Sequence, residues 1–188
     1  MANTNAPSGL RVKSPLLSAK MYKIGAAYAT ALYLGDPVAL DSSGNINIAT
    51  AGTGNRVLGA ILGFFDTDFC PLTTNYLPAA TAGVHYCLVS DDPRQLYVIQ
   101  EDTVGGTNYA LVDLGGNSNL VAGSGGSTVS GRSSWMADSS STPGNTAGDQ
   151  IRLIEQYRSP DNAIGDYAKW VIRINNPQGA AGIVGVGI

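Results

Sequence analysis

Charge is what this chain has least of. Only 13% of its 188 residues are Asp, Glu, Lys or Arg, about half the share of roughly 25% in an ordinary soluble domain. The balance is acidic, with a net charge of −3 and a pI near 4.9. Nucleic-acid binding rests on clustered Lys and Arg that neutralise phosphates, and the 11 basic residues are scattered along the sequence. Arg11, Lys13, Lys20 and Lys23 form one loose group. There is a single histidine, His85, with no serine nucleophile motif beside it to build a Ser-His-Asp arrangement. Cysteine is confined to Cys70 and Cys87, and spacing alone does not decide whether they pair. Structural zinc wants four ligands at spacings such as paired C-x₂₋₄-C, which Cys70, His85 and Cys87 do not match. No apolar run approaches the ~20 residues of a membrane span. Residues 1–20 lack the continuous apolar core of a signal peptide. The expectation is therefore synthesis in a reducing cytosol with both thiols free.

What the chain does have is glycine, 24 residues of it, and 44% hydrophobic content. The length suits one domain, and a compact chain of this size buries about 70% of its unfolded surface. A surface so poor in charge is made largely of backbone, Ser, Thr and Asn, which suits extensive packing against another protein.

The strongest pattern lies between Ile151 and Asn175. Ala168, Trp170, Ile172 and Ile174 alternate with Lys169, Val171, Arg173 and Asn175, the period-two mark of a strand. Upstream, Ile151, Leu153 and Tyr157 share a face that Glu155 interrupts. The loop between, Ser159 to Tyr167, is shaped by Pro160, Asp161, Asn162 and Gly165. It is longer than a tight hairpin needs.

Other strands are predicted at Leu32–Leu40, Asn45–Ile48, Val57–Phe65, Val84–Val89, Leu96–Glu101 and Tyr109–Leu114, with short strands around Trp135. Pro37 places its strand at an edge, a start or a bulge. Val57–Phe65 is apolar throughout and should be buried on both faces. The connection from Asp66 to Gly83 is unusually long for a compact domain. Many short strands with turn signals between them predict an all-β fold, a single β-sandwich or β-barrel of jelly-roll-like kind. Residues 1–31 read as an arm, of which Met1 to Lys20 is extended and orders only against a partner while Ile24 to Leu34 reads as a helical turn or the lead into a strand; 32–176 read as the core, and 177–188 as a Gly- and Ala-rich tail.

Candidate chemistry is sparse. Asp91 and Asp92, like Glu101 and Asp102, admit an acid–base or calcium reading beside that of turn-stabilising carboxylates. The glycine-rich stretches 115–126 and 179–187 do not match G-x-x-x-x-G-K-[ST]. Asp161-Asn162 with Lys169-Trp170 reads either as a binding edge or as an Asx turn beside a core tryptophan. No catalytic, cofactor or metal set is assigned.

Several segments, in order, resemble the head decoration, or cement, proteins of tailed bacteriophages. They are Met1-Ala2-Asn3-Thr4-Asn5-Ala6-Pro7 with Gly9-Leu10-Arg11, Leu34-Gly35-Asp36-Pro37-Val38, Gln100-Glu101-Asp102, and Asn119 to Gly125. Ser159 to Gly165 followed by Ala168 to Asn175 completes the set. The resemblance implies a non-enzymatic β-rich virion protein on the outer surface of the capsid, made in the host cytoplasm, that clamps neighbouring major capsid subunits. It implies a homo-oligomer, a trimer above all, with no nucleic-acid or membrane partner. On it, Asn5, Pro7, Leu10, Arg11, Asp161 and Asn162 are the expected capsid contacts. The rival readings are a glycan-binding module of a head fibre or tail using Tyr76, Tyr109 and Tyr167, a hydrolase using Glu101 with Asp91 or Asp92, and the major capsid protein itself.

Overall fold

The computed structural model describes residues 3–141 and 143–179. Residues 180–188, most of the expected tail, lie outside the described residues. Fourteen strands form two five-stranded antiparallel sheets and two short ribbons. The strands of the first sheet run β1 (Arg11–Val12), β9 (Leu96–Gln100), β14 (Lys169–Ile174), β13 (Ile151–Gln156), β10 (Asn117–Ser118). Those of the second run β2 (Lys20–Ile24), β8 (His85–Ser90), β6 (Gly59–Phe65), β4 (Pro37–Leu40), β5 (Ile46–Ile48). The ribbons pair β3 (Leu32–Tyr33) with β7 (Tyr76–Leu77), and β11 (Leu120–Val121) with β12 (Met136–Ala137). The fold is sandwich-like and all-β, as the strand pattern predicts; the described strands close into no barrel.

The pair at the centre of the first sheet is the predicted one. Trp170 and Ile172 are fully buried and Ile174 nearly so, each contributing roughly 1.5–3 kcal/mol by burial. Together with Tyr97 and Ile99 from β9 and Ile151 and Leu153 from β13 they form one core cluster, which Ala60 of β6 joins from the other sheet. The interruption at Glu155 has a structural cause. The β13–β14 register shifts between Leu153 and Glu155, leaving Ile154 as the extra residue of a bulge. Glu155 thereby lies opposite Val171, on the outer face.

A second bulge falls between Ile61 and Gly63 of β6. It lets both Ile61 and Phe64 face a second cluster with Ile24, Val38, Ile46, Cys87 and Val89. Ala60 meanwhile faces the first cluster, so the first half of β6 is buried on both sides, as its unbroken apolar run predicts, whereas Leu62, Gly63 and Phe65 are half-buried. Pro37 begins β4, where no ladder donor is lost.

Three expectations change. Residues 3–31 are extended but order against their own chain. Leu10 is 1% and Ile24 0% exposed, β1 pairs with β9, and β2 pairs with β8. Two apolar plugs and ten or so satisfied backbone groups replace the partner that the arm was expected to need. Tyr109–Leu114 is no strand: residues 111–113 make a 3-10 turn. Asp113 Oδ2 accepts the Ala110 N–H at 2.7 Å, a local bond that competes with a ladder. The long connection 66–83 carries β7, which lies against β3. The described start of the tail is tied in too, since Gln178 exchanges two hydrogen bonds with the Leu40 backbone.

Glycine is demanded at β6. A Cβ on Gly59 would overlap the Ser90 carbonyl, whereas one on Gly63 would meet only Phe65 at an ordinary 3.7 Å. Gly59→Ala is expected to lower stability by about 2–4 kcal/mol and Gly63→Ala by less than about 1 kcal/mol. Urea midpoints of the two variants check this; equal effects would disprove the close approach.

Candidate binding surface

Two buried glutamines hold the N-terminal segment in place. Gln100, 4% exposed, accepts from Ala6 N at 3.0 Å and donates to the Thr4 and Tyr167 carbonyls at 2.8 and 2.9 Å. Gln95, 1% exposed, accepts from Leu17 N and donates to the carbonyls of Lys13, Pro15 and Leu96. An amide side chain offers both donors and an acceptor, so one buried glutamine satisfies several backbone groups of a strand-poor segment.

The same segment meets the β13–β14 loop. Asn3 Nδ2 donates to Ala163 O and Asp166 O, each at 2.8 Å, and Asn3 Oδ1 accepts from Ala163 N at 2.9 Å. Thus the two groups of expected contact residues, far apart in sequence, lie side by side. They are not all presented outward. Asn5, Arg11 and Asp161 are exposed and Pro7 half-buried. Leu10 is in the core. Asn162 is 7% exposed and clasps its own loop: it donates to Tyr157 O and Lys169 O and accepts from Lys169 N. Asp161 is bonded to Ser159 and lies 3.5 Å from Lys169 Nζ. The Ser159 hydroxyl, then Lys169, holds its carboxyl below the ordinary range. Leu10 and Asn162 therefore serve the fold, and of the six only Asn5, Pro7, Arg11 and Asp161 keep accessible surface.

Sequence order hides a charge pattern that strand pairing makes plain. Residues opposite one another in antiparallel strands share a face. Arg11, Val98, Val171 and Glu155 form one row of the first sheet's outer face, and Leu96, Arg173, Arg152 and Asn117 the next. Lys169 lies opposite Gln100 on the same face, and Lys13 pairs with Glu155. Five of the chain's 11 basic residues therefore gather on one face with one carboxylate in its strands. Arg173 is directly opposite Arg152. Burial, then Arg173, pushes the Arg152 guanidinium pKa down. The parity of each strand was readable; the register that aligned them was not.

The candidate chemical groups are occupied in holding the chain together. Asp91 accepts from Ser18 Oγ and Tyr22 Oη at 3.0 and 2.8 Å and pairs with Lys20 Nζ at 3.1 Å. Burial pushes its carboxyl up, but those three donors outweigh it and hold it below the ordinary range. Burial and Asp91 push the Tyr22 phenol up to about 12. Asp92 caps the turn at Arg94 N and Asp102 fastens Ser139. No group of three or more His, Cys, Asp or Glu among the described residues is arranged to hold a metal. Cys70 is exposed and Cys87 buried, both as free thiols. Of the tyrosines considered for glycans, Tyr109 is in the core and Tyr76 stacks on Tyr33 with centroids 5.6 Å apart. Phe69, which is exposed, stacks on the half-buried Tyr86, centroids 4.4 Å apart.

Glu101 is fully buried. Its Oε2 accepts from Tyr109 N at 2.8 Å, while Oε1 and the buried Trp170 Nε1 have no hydrogen-bond partner. Burial pushes its carboxyl up to about 7. Unfolded, it titrates near pH ~4.3. The native proton is held where the unfolded chain has lost it, so the stabilisation is complete below about pH 4 and is lost as pH rises through about 7. Relative to the parent, Glu101→Gln is expected to be more stable at pH 8 than at pH 5, by on the order of 2 kcal/mol. Urea titrations at both pH values measure it; a pH-independent difference would rule it out. No protein-family model, no curated protein and no solved structure matches this chain.

Proposed function

We propose that this chain is a structural virion protein that decorates a tailed-phage capsid and bridges neighbouring major capsid subunits on the outer shell. The observation that carries the reading is the joining of the N-terminal segment to the β13–β14 loop through Asn3, Ala163 and Asp166. Both are segments in which the resemblance to cement proteins lies, and between them they bear the exposed Asn5, Arg11 and Asp161. A rigid β-frame under that surface suits a clamp. Its ordering entropy has already been met within the chain, so binding need not supply it. Many modest contacts, repeated over a shell, then add through effective concentration.

The carboxylates weighed for hydrolysis support this indirectly. Asp91, Asp92 and Asp102 bind turns and strands, and Glu101 is sealed in the core. The second reading, a host-glycan module, is favoured by one observation, the stacking of the exposed Phe69 on the half-buried Tyr86. We take the active copy to be a trimer, which light scattering on the purified chain tests.

Removal of residues 1–6 deletes the Asn3 and Thr4 bonds but spares Leu10 and β1. The shortened chain is expected to keep its circular-dichroism spectrum and to bind expanded, undecorated capsids at least about tenfold more weakly. Undiminished binding excludes this surface, and glycan-array binding abolished by Phe69→Ala favours the second reading.

A further inference from the structure

We propose that the outer face of the first sheet is a docking site for an acidic polypeptide segment, centred on the cross-strand pair Arg152–Arg173 and reaching Arg11. Like charges placed directly opposite on neighbouring strands are destabilising, yet Arg173 faces Arg152 across β13 and β14. Arg173 Nε is buried with no hydrogen-bond partner. Among the described residues no carboxylate lies within ion-pair distance of Arg11 or Arg173. A carboxylate from outside offsets the repulsion between the pair and accepts from the exposed guanidinium fork of Arg11.

The floor of the site is apolar. Val171 is 0% and Val98 5% exposed between the basic side chains. A groove beside Val98 and Tyr157, about 440 Å³, is lined by Arg11 and Lys13. Hydrogen bonds to charged groups above such a floor are screened less than on an open surface.

Patch size selects a short carboxylate segment over a nucleic acid. Strands lie ~4.8 Å apart, so four of them span about 15 Å, the reach of a few extended residues. Glu155 lies within the face and Asp161 beside it, and most of the chain's 14 carboxylates lie elsewhere on a protein of net charge −3. A polyphosphate strand leaving the patch therefore meets repulsion, whereas a short acidic segment ends within it. This inference rests on the proposed function for where such a segment comes from, an acidic stretch of a capsid subunit, but not for the chemistry of the face.

The experiment uses the full chain and a fluorescent hexaglutamate peptide, followed by anisotropy. Binding is expected at about 50 mM salt and should weaken at least about tenfold at roughly 300 mM. R11Q/R173Q is expected to weaken it about tenfold or more, and R11K/R173K, which keeps the charge but loses the guanidinium fork, by a smaller but clear factor of about threefold or more. Arg11→Gln alone, at an exposed side chain, keeps the test decisive should the double variant unfold. Absence of peptide binding, binding that R11Q/R173Q leaves unchanged, or tighter binding of an oligonucleotide of equal charge would overturn the proposal. Capsid attachment separates the two readings. R11Q/R173Q that attaches like the parent removes this site and leaves the decorating role. A parent that binds the peptide but no capsid removes the decorating role and leaves this site.

Discussion

Buried side-chain amides are the interaction on which this structure depends. More than half of the described chain lies outside the regular strands, and every irregular backbone group taken out of water must find a partner or cost about 1–3 kcal/mol. Gln95 and Gln100 satisfy the N-terminal segment. Gln150, fully buried, accepts from Gly52 N and Leu120 N and donates to the Thr50 and Asn55 carbonyls, joining the turn after β5 to β11. Asn175 holds the Ala147 and Asp149 carbonyls, and Asn162 holds the β13–β14 loop. Each is a neutral clamp that avoids the desolvation penalty of a buried ion. A chain with 13% charged residues can therefore order long loops without helices or disulfides.

That constraint separates what was legible in the sequence from what was not. Hydrophobic alternation exposed β13 and β14, and an unbroken apolar run exposed β6, because burial of Trp170 or Ile61 imposes the pattern directly. Loop ordering leaves no such trace. A glutamine that clamps three carbonyls looks like any other glutamine, so residues 3–20 read as ordering only against a partner. The bulges at Ile154 and Leu62 were visible only as irregularities, Glu155 where an apolar residue was due and a strand apolar at every position. Tyr109 read as part of a strand because its burial is the same in a turn; its phenol is tied to Ser118 Oγ and Asp138 O instead of a neighbouring strand.

The candidate surface was half legible for the same reason. The resemblance singled out Asn5, Arg11 and Asp161, which are exposed, along with Leu10 and Asn162, which the fold consumes. The meeting of Asn3 with Ala163 spans 160 residues, and no local signal anticipates it. The basic residues illustrate the point more sharply. Arg11, Arg152 and Arg173 are scattered in the sequence and aligned in space only once β1, β9, β14 and β13 are in register. Charge clustering on a sheet is a property of register, and register is set by the buried faces, not by the charges that ride on the other side.

This division of labour bears on how such a surface can work. The inner face of the first sheet holds Tyr97, Trp170, Ile172 and Leu153, and it fixes the strands whatever stands outside. The outer face is then free to carry a repulsive pair of arginines, whose cost of a fraction of a kcal/mol is small beside the burial of one tryptophan. A frame that tolerates local strain of this kind keeps its binding groups prearranged before any partner arrives. Preorganisation of that sort lowers the entropy lost on association. Gln95 and Gln100 serve the same end: by fastening the N-terminal segment they hold β1, and with it Arg11, in register on that face.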